Sequence, residues 1–147
     1  MKNIFAWATR DVIGWISKSI ILPLAPFLIG ALIRGLIRRV FNETIFDPSE
    51  LSFSMGMLCL LVSLSANTLN DKSLASSLAS NFSVGIFVFA SLFTLAIVFE
   101  ELTSTPDGKA FADIVNSIRW ITLIVSSFTI IVAILSKHKF KLESFDL

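Results

Sequence analysis

Residues 73–99 read SLASSLASNFSVGIFVFASLFTLAIVF, twenty-seven consecutive residues without a charge between Lys72 and Glu100. A helix rises about 1.5 Å per residue and the hydrocarbon of a bilayer is about 30 Å thick, so about 20 apolar residues cross it. A surface helix of a soluble domain would carry a charged face along such a length. This run has none, and lipid is the solvent that suits it.

Three more uncharged runs flank it. Residues 51–70 give 20 between Glu50 and Asp71, residues 120–136 give 17 between Arg119 and Lys137, and residues 19–33 give 15 between Lys18 and Arg34. The first two are long enough to span. The last spans only if Lys18 and Arg34 extend their side chains to the two interfaces, and Pro23 and Pro26 would kink it. A re-entrant or tilted segment is the alternative there. The expected fold is all-α: a four-transmembrane-helix bundle in a single membrane domain, residues 1–147, with helices near 12–40, 49–69, 73–100 and 108–137 and a tail at 138–147. Ile4, Phe5, Ala8, Val12, Trp15 and Ile16 fall on one side of a helix over residues 2–18. That segment is either an interfacial amphipathic helix or an extension of the first span. Asp11 and Lys18 interrupt the early apolar stretch and no small-residue cleavage site follows, so the first helix is expected to be retained.

Composition agrees. Charged residues are 16% and hydrophobic residues 54%, with a mean hydropathy of +0.81, values that would leave a soluble domain of this size with too much apolar surface. The net charge of +1 argues against direct nucleic-acid binding. The basic clusters Arg34, Arg38, Arg39 and Lys137, Lys139, Lys141 each follow an apolar run, where lipid headgroups are the simpler partners.

Local signals mark the helix starts. Asp47-Pro48-Ser49-Glu50 supplies an N-cap carboxylate, proline at the first helical position and glutamate at the third. Asn70-Asp71 breaks the chain, and Thr105-Pro106-Asp107-Gly108 is a turn before the last helix. Ser73-Leu74-Ala75-Ser76 is repeated at once as residues 77–80, too short to signal a repeat fold, and reads as the polar first turns of the third span.

Orientation follows from positive charge. The N-tail, the loop between spans two and three and the C-tail hold seven basic residues against five on the other side, which favours both tails in the cytoplasm. The outer side would then carry Glu43, Asp47, Glu50, Glu100, Glu101, Asp107 and Asp113.

Two helices carry small, polar stripes. Thr122, Ser126, Thr129, Ala133 and Ser136 continue from Arg119 at steps of three and four. Ser52, Gly56, Cys59, Ser63, Asn67 and Asn70 do the same on the second span. Small residues let helices approach closely in lipid and hydroxyls bond across the contact, so each stripe is a candidate oligomer contact. The competing reading is a water-lined path, and back-bonding of the hydroxyls to their own helix is the third. Glu100 and Glu101 end the third span and Arg119 lies near the start of the fourth, which suggests a solvated helix end with a surface ion pair.

No enzymatic constellation emerges. Adjacent carboxylates at 100 and 101 do not face each other. His138, the only histidine, lies at a helix end, and Cys59, the only cysteine, lies mid-helix, roughly 15 Å apart in depth. The six glycines form no phosphate loop. Neither metal nor organic cofactor is expected. Arg10, Lys137, Lys139 and Lys141 are the candidate contacts for a partner or for headgroups.

The short four-span plan, rich in Phe, Ile and Ser, with a Lys137-His138-Lys139 start to its tail, resembles the small membrane subunit of bacterial anti-phage defence systems of the Kiwa (KwaA-like) kind. The likeness is one of layout over the whole chain and carries no signature residues. It implies a homo-oligomeric sensor or scaffold in the bacterial inner membrane that acts with a cytosolic partner. A small pore or transporter component and a colicin-type immunity protein share the layout and are the rival readings.

Overall fold

The computed structural model describes residues 10–39, 45–105, 108–140 and 142. Among them every regular element is helical: α1 (Arg10–Ile16), a π-helical turn (Ser17–Ile21), α2 (Leu22–Arg38), α3 (Pro48–Ala66), α4 (Lys72–Thr103) and α5 (Lys109–Phe140). α1, the π turn and α2 run on as one rod. Ile13–Ile37, Pro48–Ala66, Lys72–Thr103 and Lys109–Phe140 are each long and apolar enough to cross a membrane. The short run at 19–33 is therefore the middle of a span-length helix rather than a re-entrant segment.

The π turn has a local cause. Pro23 lacks the N–H that would bond the carbonyl of Ser19, and its ring crowds that carbonyl. The backbone opens to the wider i→i+5 pattern over the turn before it and returns to α geometry at Leu22. Arg39 ends α2 in the left-handed region at φ 52°. Where residues 10–18 are described they extend the first span; residues 2–9 of the amphipathic segment lie outside the description.

Capping follows the sequence signals. Asp47 accepts from the backbone N–H of Ser49 (2.8 Å) and Glu50 (3.3 Å) and from the Ser49 hydroxyl (2.6 Å). Asp71 does the same for Ser73 (3.0 Å) and Leu74 (3.2 Å) at the start of α4. Such a cap satisfies N–H groups that a helix start otherwise leaves open, for about 1 kcal/mol. Gly108 N–H donates to the Thr105 carbonyl at 2.8 Å and closes the turn before α5, although Pro106 and Asp107 themselves lie outside the described residues.

α3 is the axis of the bundle. In its most apolar stretch 61% of residues are buried, against 17–22% in the other three spans. It packs along α4 and also touches α2 and α5. The core joins Leu51, Met55, Leu58, Cys59, Val62 and Ala66 of α3 to Trp15, Ile20 and Phe27 of the first rod, Leu78, Phe82 and Phe89 of α4, and Ala133 of α5. Outward lie Ile29, Leu32, Leu36 and Ile37 of α2, Val84 and Phe87 of α4, and Ile124, Phe128 and Leu135 of α5. Aliphatic flanks of this kind face acyl chains without cost, as they would not in water.

Candidate functional site

At the end of the bundle where α2 and α4 finish and α3 and α5 begin, charged residues brace the helices. Arg34 of α2 forms a bidentate pair with Glu50 of α3, Nη1 to Oε1 at 2.9 Å and Nη2 to Oε2 at 2.6 Å. Its Nε donates to the Ile45 carbonyl at 2.8 Å, and Asp47 Oδ2 lies 3.8 Å from Nη1. Arg119 of α5 donates from Nε to the next carbonyl, that of Phe46, at 2.9 Å, and from Nη1 to Asn116 Oδ1 at 3.2 Å. Two guanidinium groups from opposite sides thus hold consecutive carbonyls of the segment leading into α3. Glu100 of α4 lies within electrostatic reach of Asp47, Arg119, Arg34 and Glu50.

This arrangement revises two expectations. Arg34, expected to meet headgroups, is engaged by Glu50. Arg119 is fixed to a backbone carbonyl, with Glu100 a neighbouring charge rather than a hydrogen-bonded mate. The fork of Arg matches a carboxylate in a plane, which explains why a half-buried pair is kept at this corner. Gly30, one turn before Arg34, leaves the room: a Cβ there would stand 2.6 Å from Glu50 Oε2.

Both polar stripes lie inside the protomer. Thr122, Ser126, Ala133 and Ser136 of α5 are buried and Thr129 is half-buried. On α3, Ser52, Cys59 and Ser63 are buried and Gly56 is half-buried, while Asn67 and Asn70, past the end of the helix, are exposed. The buried members of the stripes pack among α3, α4 and α5 within the protomer, and Thr129 and Cys59 also line a groove on its surface. Ser63 Oγ donates across the contact to the Ala79 carbonyl at 3.3 Å, and Thr129 Oγ1 bonds back to Val125 at 2.8 Å. The hydroxyls of Ser52, Ser54, Thr122 and Ser126 are buried without a protein partner.

The basic residues at the other end separate into three cases. Lys137 is buried, donates Nζ to the Leu142 carbonyl and lies 6.0 Å from the ring centroid of Trp15. It links the tail at Leu142 to Trp15 of α1. Lys139 is exposed, its Nζ 5.2 Å from the ring of Phe140. Arg10 opens α1, and Lys141 lies outside the described residues.

A groove of about 390 Å³ lies between α4 and α5, lined by Asn81, Phe82, Gly85, Phe128, Thr129 and Val132, with Cys59 of α3 at its floor. Gly85 permits this approach, because a Cβ there would stand 2.9 Å from Cys59 Sγ. Nothing in the sequence reading singled out Asn81. The available signal was one amide inside an uncharged run of twenty-seven residues.

Among the described residues no group of three His, Cys, Asp or Glu side chains is placed to hold a metal ion. Among the described residues the arrangement brings together bracing, packing and an outward groove. Comparison with family models, with curated proteins and with solved structures finds no match to this chain.

Proposed function

We propose that this chain is a sensor and scaffold subunit of a bacterial antiviral defence complex, which homo-oligomerises in the inner membrane with both tails cytoplasmic and recruits a cytosolic protein there. The observation that carries the scaffold reading is the filled axis: Met55, Leu58, Cys59 and Val62 of α3 are 0% exposed. A bundle wrapped around a close-packed helix has side chains where a conducting protomer would need water. The braced corner at Arg34, Glu50 and Arg119 holds that axis in place, as suits a platform for other proteins. The defence setting and the cytosolic partner rest on the layout of four short-looped spans with a basic tail, of which Lys139 is presented outward.

The test is to purify the tagged chain in mild detergent from cells that also express its neighbouring genes, and to weigh the particles by mass photometry. Plaque counts on the same cells supply the biological readout. The reading expects a defined homo-oligomer carrying one cytosolic protein in fixed ratio, and fewer plaques when both are present. A monomer, or an oligomer that conducts ions in liposomes and affects no phage, would overturn it.

A further inference from the structure

We propose that the α4–α5 groove is the homodimer contact of this protein, with Asn81 of each copy hydrogen-bonded to Asn81 of the other beside a two-fold axis normal to the membrane. The inference rests on the oligomeric reading above and adds the face through which the oligomer forms.

Depth comes first. The uncharged runs 51–70, 73–99 and 120–136 have their midpoints near residues 60, 86 and 128. The groove is lined by Cys59, Gly85 and Phe128, so it stands at the middle of three runs at once. Asn81 is five residues from the midpoint of its run, about 7.5 Å along the axis, while the hydrocarbon extends about 15 Å either way. The amide therefore lies within the hydrocarbon rather than among headgroups.

Chemistry comes second. Asn81 is exposed, and its side chain makes no hydrogen bond among the described residues. Two other polar side chains on the outer surface of α4 are satisfied internally: Ser91 bonds back to Phe87 at 2.9 Å and Thr94 to Ala90 at 3.0 Å. An asparagine is too short and too branched in its demands to do the same, since it offers two N–H donors and a carbonyl acceptor. Acyl chains supply neither donor nor acceptor, and an apolar ligand would leave the amide equally unpaired.

A second copy supplies both. An amide is self-complementary, and a two-fold axis normal to the membrane brings the same residue to the same depth on both protomers. The surroundings allow close approach: Ser77 lies one turn before Asn81 on the exposed face and Gly85 one turn after it. Small residues flanking a polar side chain are the features that let membrane helices meet without a hydrophobic driving force.

The test is disulfide trapping in native membranes. Asn81→Cys is placed in a Cys59→Ala background and oxidised, with Phe53→Cys, at an exposed position of α3, as the control. Asn81→Leu and Asn81→Gln are compared by dimer dissociation in detergent dilution. We expect Asn81→Cys to trap a dimer and Phe53→Cys to stay monomeric. Asn81→Leu should weaken association roughly threefold to twentyfold, with Asn81→Gln closer to the parent. An oligomer that persists while Asn81→Cys traps no better than the control would overturn this contact and leave the scaffold reading standing. A parent chain that is monomeric by mass photometry would overturn both.

Discussion

Replacing Arg34 by alanine would leave the Glu50 carboxylate without its mate and the Ile45 carbonyl without its donor. The magnitude lies between two known limits. Exposed ion pairs contribute about 0–1 kcal/mol, whereas breaking a fully buried pair costs about 3–5 kcal/mol. The side chains of Arg34 and Glu50 retain 24% and 37% of their exposure, which places the pair between those limits, and the geometry is bidentate. We expect Arg34→Ala to cost about 2 kcal/mol, close to thirtyfold in the unfolding equilibrium. Glu50→Ala should cost less, because Arg34 keeps the Ile45 carbonyl and has Asp47 at 3.8 Å. Unfolding in mixed micelles of mild detergent and SDS, followed by tryptophan emission, measures each variant. The double variant closes the cycle, and a coupling of about 1 kcal/mol is expected. Coupling within about 0.3 kcal/mol of zero would show that the pair is a solvated surface contact and that the corner is not braced.

Three further outcomes follow from the same geometry. Gly30→Ala should lose about 1 kcal/mol by displacing Glu50 from Arg34, yet gain up to about 1 kcal/mol in a Glu50→Ala background, where only helix propensity is left; the same unfolding titration reads both. Gly85→Ala should cost about 1–3 kcal/mol through its clash with Cys59 Sγ, and Cys59→Ala should restore most of that, since the Cβ contact left behind is an ordinary 3.7 Å. Cys59, 0% exposed, should resist a membrane-impermeant maleimide in intact membranes and react fully once SDS unfolds the chain, as a mass shift would record. Equal labelling rates in the two conditions would mean that the bundle axis opens to water.

The spans were legible because the signal is local and additive: uncharged length against bilayer thickness. The start of α3 was legible for the same reason, since Asp47, Pro48 and Glu50 act within one turn. Counting charges alone gave the first helix, expected near 12–40, an uncharged run of only 15 residues, because the run ends at Arg34. In the fold that guanidinium is neutralised by Glu50, sixteen residues away, and the helix continues to Arg38. Such a pairing depends on tertiary approach and leaves no periodic trace. The stripes show a different limit. Spacing by three and four marks a small, polar face correctly, but a contact with a helix of the same chain and one with another copy have the same requirements in lipid. Thr122, Ser126 and Ala133 are buried within the single protomer. Sequence grouped Lys137 with Lys139 as one basic tail, whereas two residues along α5 turn a side chain through about 200°, so one faces Trp15 and the other faces outward.

Polar contacts within the protomer concentrate on α3. Arg34 reaches it from α2, Arg119 holds the segment that leads into it from α5, and Ser63 bonds from it to the Ala79 carbonyl of α4. Moving α3 along its axis would break several of these together and would drag Met55, Leu58 and Val62 past close-packed neighbours. By contrast, the outer face of α4 carries an unsatisfied amide beside a groove that none of the described residues fills. Stiffness within the protomer and incompleteness at its surface point in one direction. Under the proposed sensor role, a signal arriving at this protein acts by shifting protomers relative to one another, as rigid bodies at an interface, and not by sliding helices inside one bundle.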